Sequence, residues 1–307
     1  MNLAAVQAVR ACDLAVADLP AALDFFANVW NLREAAVAKG VHYFRAAGPD
    51  FYALSLRAAD RQHSGLIRIV LDAGSQTAVD AIYQKISDTG LPTDGIPRDL
   101  RTPGGGYGFG FKDVEGRNFA VVSGAALHTP IRNAPDMPTK LSHVNLNCRD
   151  NDASFALMTG TLGFSLSDQT RKFRFIRCNA DHHSLVLGFD DNANLNHIAF
   201  EMPDLEAVMR GIGRMRDRGH AVEWGPGRHG PGNNVFAYFC GPEELPLEYT
   251  SEMQQVGEDF VPSRKPEDWI WPPGRLDHWG LTPGPSARVK AAQARFQFSE
   301  TGYRLDG

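Results

Sequence analysis

The sequence predicts an α+β protein built from four copies of one strand–helix–strands module, arranged as two halves. Three observations carry this. The order strand, amphipathic helix, further strands recurs four times along the chain. The strands of the second half can be laid over those of the first at a nearly constant offset, since Cys12, Arg68 and Ala120 precede His143, His197 and Glu248 by 131, 129 and 128 residues. At 307 residues the chain is also long enough for two domains of ordinary size.

The elements follow in order. Ala8 to Val16 reads as a strand, and DLPAALDFFANVW as an amphipathic helix with Asp18 as its cap and Pro20 in its first turn. VHYFRA and FYALSLR are strands parted by the turn GPD. The order then restarts with the strand LIRIVLDA, the glycine-stopped helix SQTAVDAIYQKISDTG, and the strands GYGFGFKD and NFAVVS around DVEG. Residues 126–139 hold Pro130, Pro135 and Pro138 and read as a linker, extended rather than packed.

Beyond it come LSHVNLNC, the helix DASFALMTGTLG, FRFIRCN and SLVLGF, and then NHIAFEM, the helix DLEAVMRGIGRMRDRGH, VEWG, VFAYFCG and LPLEYTS. The expected division is therefore 1–125, the linker 126–139, 140–253, and a tail 254–307. The tail carries EDWIWPPGRLDHWG, and its prolines argue against a third compact domain. It is read either as a segment docked on the second half through its indoles or as a lid over a pocket.

A formal net charge of -5 gives no electrostatic case for nucleic acid or an anionic membrane. No segment approaches the roughly 20 apolar residues of a spanning helix, and the first residues lack the pattern of a signal peptide. Cys12, Cys148, Cys178 and Cys240 are dispersed without a CxxC pair, so a reducing, cytoplasmic setting and buried thiols are expected. A homo-oligomer is the default assembly.

The candidate chemistry lies in the second half. His143, His197 and Glu248 fall in three separate strands at matching places. Because strand side chains alternate, His143, Asn145 and Asn147 share one face, opposite Val144 and Leu146. A purely structural sheet has no need of that polar face. Two histidines and one carboxylate are the ligand set of non-heme Fe(II) oxygenases, which keep the remaining positions for substrate and O2. The first half has Cys, Arg and Ala instead, and an arginine cannot ligate a metal. Only the second half is expected to hold the ion, Fe(II) or, with overlapping preferences, Mn(II).

The run GPGRHGPGNNVFAYFCGPEELPLEY makes a resemblance specific. The modules resemble the βαβββ units of the vicinal oxygen chelate superfamily, and the second half is similar to the type I extradiol ring-cleavage dioxygenases, including the homoprotocatechuate and catechol 2,3-dioxygenases. The resemblance implies tandem βαβββ modules curled into two open-barrel domains. It also implies an enzyme that cleaves a catechol, a small aromatic diol, with Fe(II) and O2.

By position it gives His143, His197 and Glu248 as metal ligands, and His183, in DHHSLVLGF, as the acid and base that steadies bound oxygen. His229 and Tyr238 become hydrogen-bonding partners of the substrate. His182, the neighbour of His183, is expected to face away. His42, His63, His128, His220 and His278 match nothing and are read as surface or packing residues. Trp224 and Leu276 stand where the homoprotocatechuate enzymes have arginines, which implies a more apolar substrate. A hydroxyphenylpyruvate dioxygenase, a glyoxalase-like isomerase and a metal-free protein that sequesters a small aromatic are the alternatives.

Overall fold

The computed structural model describes residues 5–60, 64–257, 259–263, 265–300 and 302–305. His63 lies outside them. The first half contains β1 (Ala8–Val16), α1 (Leu19–Asp24), β2 (Arg33–Ala38), β3 (Val41–Arg45), β4 (Leu54–Ala58), β5 (Gly65–Asp72), α2 (Gln76–Asp88), β6 (Arg98–Asp99), β7 (Tyr107–Lys112) and β8 (Asn118–Ser123). The second contains β9 (Lys140–Cys148), α3 (Asn151–Ala156), β10 (Ser165–Gln169), β11 (Phe173–Arg177), β12 (Leu185–Phe189), β13 (Leu195–Glu201), α4 (Leu205–Asp217), β14 (Trp224–Arg228), β15 (Val235–Cys240) and β16 (Pro246–Ser251).

Each half forms one eight-stranded sheet. The strand orders are β2-β3-β4-β1-β5-β8-β7-β6 and β10-β11-β12-β9-β13-β16-β15-β14. Two βαβββ modules therefore meet through their first strands, β1 with β5 and β9 with β13. The outermost strands are not paired to each other, so each sheet stays open, as the tandem-module fold predicts.

The duplication extends to the helix ends. Asp18 Oδ1 accepts from the Ala21 amide at 3.0 Å and Asp150 Oδ1 from the Ala153 amide at 2.9 Å. Both short helices run on into a single π turn, Phe25–Val29 and Leu157–Thr161. Ser75 and Asp204 cap the two longer helices in the same way. Asp204→Ala is expected to cost about 1 kcal/mol through loss of the bond to the Ala207 amide, read as a lower urea midpoint.

Strand register corrects one pairing made from sequence. Ala120 stands beside Val70 and Val70 beside Ala11, just as Glu248 stands beside Ala199 and Ala199 beside His143. His143 is thus matched by Ala11, not by Cys12. A shift of one residue moves a side chain to the other face of the sheet, and Cys12 is fully buried in the core. The positions of Arg68 and Ala120 are as expected.

One apolar cluster runs through both halves, from Leu14, Phe26 and Trp30 to Phe200, Phe239 and Tyr249. Trp30 stacks on Tyr249 at 3.8 Å, and the Tyr249 hydroxyl donates to the Trp30 carbonyl at 2.9 Å. The proline-rich linker is extended but also docked. The amides of Ala47 and Gly48 donate to the carbonyls of Pro138 and Thr139, and that of Ile131 to Ala47, each at 2.8 Å. Backbone groups that lose water need such partners.

The tail carries a helix that its sequence did not announce, α5 (Ala287–Arg295). Only Val289 and Ala292 anchor its inner face, too few to make a visible apolar stripe. Cys12, Cys148 and Cys240 are buried and no disulfide forms among the four cysteines. None of the described helices is long and apolar enough to cross a membrane. His42 pairs with Glu34, His128 stacks on Phe51, His220 meets the edge of Phe25, and His278 is exposed.

Candidate metal centre

β9, β13 and β16 are adjacent in the second sheet, and each contributes one candidate ligand. Their other faces carry Val144, Leu146, Ile198, Phe200, Leu247 and Tyr249, all fully buried. Burial of that apolar set fixes which face His143, His197 and Glu248 must share. The ligand atoms of these three lie within 4.8 Å of one another, and no other such group occurs among the described residues.

His197 Nε2 is 3.0 Å and His143 Nε2 3.3 Å from Glu248 Oε2, while the two nitrogens are 3.2 Å apart. Glu248 is fully buried, and neither of its oxygens has a partner with hydrogen-bond geometry. Burial alone would raise the Glu248 carboxyl, but the two imidazoles outweigh it and hold the group well below the usual carboxylate range. An ionised carboxylate buried against two imidazole nitrogens is costly by itself. The donor set therefore fits a divalent transition metal, which His143, His197 and Glu248 could hold.

The other three expected residues converge here as well. Tyr238 lies directly opposite Glu248 in the β15–β16 pairing, and its hydroxyl is 3.1 Å from His229 Nε2. His229 Nε2 is 3.8 Å from Glu248 Oε1. Burial pushes His229 down to about 4, against the pull of Glu248. Burial and the same carboxylate raise Tyr238 well above the usual phenol range, so its hydroxyl keeps its proton. The His183 ring stands edge-on to that of His143, with centroids 4.5 Å apart.

His182 does not face away. It is fully buried; its Nε2 is 2.7 Å from Asp168 Oδ2, and its Nδ1 is 3.0 Å from His183 Nδ1. Strict alternation failed because residues 182–184 are irregular, ahead of β12, rather than part of a strand. The histidine doublet was the available signal for His182. Asp168 had none, since it is 14 residues away in sequence and reaches the pair only through the packing of β10.

Trp224 stacks on Tyr238 at 5.2 Å with an interplanar angle of 20°, which gives this side of the site an aromatic wall. Leu276 is 53% exposed in the tail, so its expected place at the site is not supported. The tail does reach the site's surroundings. The Ser263 amide donates to Asp168 Oδ1 at 2.7 Å, Phe260 meets the edge of His182, and Trp269 and Trp271, each half-buried, lie against Gly230 beside His229.

Residues 140–249 match the sequence profile of the Glyoxalase/Bleomycin resistance protein/Dioxygenase superfamily. Metapyrocatechase 2 of Cupriavidus necator is 29% identical over 153 residues; that match covers 47% of this chain and 45% of that protein, less than half the length of either. Among solved structures, the Mn(II)-bound glyoxalase from Novosphingobium aromaticivorans superposes with a TM-score of 0.85 at 33% identity, over 92% of this chain and 93% of that one. The homoprotocatechuate 2,3-dioxygenase of Arthrobacter globiformis superposes with a TM-score of 0.82 at 18% identity, over 96% and 92%.

Proposed function

Because the chain belongs to the Glyoxalase/Bleomycin resistance protein/Dioxygenase superfamily, we propose that it is an Fe(II)-dependent extradiol dioxygenase that opens the ring of a catechol with O2. The observation that carries this reading is the convergence of three further groups, His183, His229 and Tyr238, on the His143–His197–Glu248 set. Both atoms of O2 enter the ring-opened product, so the reaction needs no added reductant.

When bound, the metal would lower the pKa of a coordinated catechol hydroxyl and bring diol and O2 together. The remaining work falls to the chain's own groups. The protonated Tyr238 hydroxyl and the His229 imidazole, already in contact, would orient the diol oxygens. His183 would take and return a proton beside the reacting carbon.

His182 and Asp168 would set the His183 tautomer. If His182 Nε2–H donates to Asp168 and its Nδ1 accepts from His183 Nδ1–H, His183 Nε2 keeps its lone pair. Asp168→Asn is expected to lower turnover about 10- to 100-fold, the range seen for partners that orient active histidines, with metal content unchanged. Metal analysis alongside kcat checks both halves of that expectation.

The test of the activity is anaerobic loading with Fe(II), admission of air, and measurement of O2 uptake and the yellow ring-cleavage product. Catechols with apolar, carboxylated and bicyclic substituents should be compared. Apolar ones are expected to turn over best, because Trp224 and not an arginine stands beside Tyr238. Absence of uptake with every catechol would overturn the reading.

A second reading has one observation in its favour, the 33% identity to a protein described as a Mn(II)-bound glyoxalase. It requires isomerisation of a glutathione hemithioacetal without O2, best with Mn(II). Running that assay anaerobically on the same preparation separates the two.

A further inference from the structure

The first half retains a cavity where the second half has its metal centre. Ala11, Arg68 and Ala120 occupy the positions of His143, His197 and Glu248, and Tyr52, two residues before Leu54 of β4, occupies that of His183 before Leu185 of β12. Tyr52, Arg68 and Ala120 line a cavity of about 750 Å³ on that face. This is within the range of roughly 300–1,000 Å³ typical of small-molecule sites.

Its lining is basic, although the chain is acidic overall. Six cationic side chains, Arg10, Lys39, Arg57, Arg68, Arg98 and Arg101, border it against Asp13, Asp60 and Asp99. Asp13 is already engaged, with its Oδ2 2.8 Å from Arg68 Nε and its Oδ1 accepting from Ser55 Oγ at 2.6 Å. Arg10 is less committed. It sits at a bulge between Val9 and Ala11, is only 7% exposed, and its Nε and Nη1 have no hydrogen-bond acceptor. Its nearest carboxylate, Asp72, is 3.6 Å away. A buried guanidinium with unfilled donors is costly, and an anion placed against it would relieve that cost.

One wall of the cavity is apolar and aromatic. Tyr43 and Tyr52 meet edge to face at 5.1 Å, the Arg10 guanidinium lies 5.7 Å from the centre of the Tyr52 ring, and Val70, Val122 and Leu305 complete the wall. Arg304 and Leu305 close one side. The Arg304 carbonyl accepts from Arg68 Nη1 at 3.2 Å, and the Leu305 amide donates to Asp94.

We propose that this cavity is a second binding site, for a small aromatic carboxylate whose ring packs on Tyr43, Tyr52 and Val70 and whose carboxylate meets Arg10 and Arg68. Inorganic phosphate would satisfy the arginines and leave the aromatic wall unused. The site lies in a different sheet from the metal centre and stands whatever reaction that centre performs.

Isothermal titration of the metal-loaded full chain tests it, with phenylacetate, inorganic phosphate and benzyl alcohol as probes. Phenylacetate is expected to bind with a stoichiometry of one, at least tenfold tighter than either control. Arg10→Met and the paired Asp13→Asn/Arg68→Met variant, which leaves no unpaired charge, should each weaken it at least tenfold. His143→Ala should bind it as the unaltered chain does, which separates this cavity from the metal centre. No phenylacetate binding, equal binding of a control, full binding by both arginine variants, or loss in His143→Ala overturns the proposal. Should the arginine variants not fold, salt dependence decides: binding to the unaltered chain should weaken as NaCl rises, and an affinity indifferent to salt overturns it.

Discussion

His143→Ala is expected to lower metal affinity by more than about 100-fold and to abolish turnover. Loss of a residue that merely orients a ligand costs 10- to 100-fold, and His143 is proposed as a ligand itself. It contributes one of three lone pairs gathered within 4.8 Å, and β9 carries no second His, Asp or Glu to replace it. Metal should raise the melting temperature of the unaltered chain, since binding at about 100 times Kd adds about 2.7 kcal/mol, and should leave that of His143→Ala unmoved. His183→Phe is the matching contrast, because His183 touches the His143 ring but is not one of the three. It should retain stoichiometric metal and lose about 10²- to 10⁴-fold in kcat, the usual contribution of a general acid or base. Stoichiometric metal and full activity in His143→Ala would show the ligand assignment to be wrong.

Arg117→Met is expected to lower the free energy of unfolding by about 3–5 kcal/mol, the usual consequence of removing one partner of a buried ion pair. Arg117 is 2% exposed, and its Nε donates to Asp113 Oδ2 at 2.7 Å. Its other nitrogens cross to the second half, where Nη1 donates to the Asn147 carbonyl at 3.1 Å and Nη2 to Ser154 Oγ at 3.2 Å. Burial opposes its charge, but Asp113 and Cys148 together outweigh burial and hold the guanidinium above its usual range. Adding Asp113→Asn should recover part of the loss, because it removes the carboxylate left uncompensated. Urea midpoints of the single and double variants measure this, and a single-variant midpoint equal to that of the unaltered chain would refute it. Asn147 lies on the strand that carries His143, so the same contact ties the first half to that strand.

Several features were legible in the chain because they are local or repeated. Period-two alternation assigned faces to His143 and His197, the fourfold order of elements gave the modules, and Asp18 and Pro20 marked a helix start that the structure keeps. The register at Cys12 is legible in the same way. Cys12, Leu14 and Val16 match Val144, Leu146 and Cys148 in burial, and apolar alternation carries that register.

Other features depend on groups far apart in sequence, and no local pattern encodes them. Asp168 reaches His182 across β10, Arg117 spans 30 residues to Asn147, and Arg68 and Arg10 share a cavity only after β1 and β5 pair. The sequence by itself determined the modules, the half that holds the candidate ligands and the identity of those ligands, because strand periodicity and side-chain chemistry are properties of neighbouring residues. Only the tertiary structure decided which buried charges meet, that the tail folds back against both halves, and that the ligand-free half encloses a basic cavity, because these follow from strand register and long-range packing.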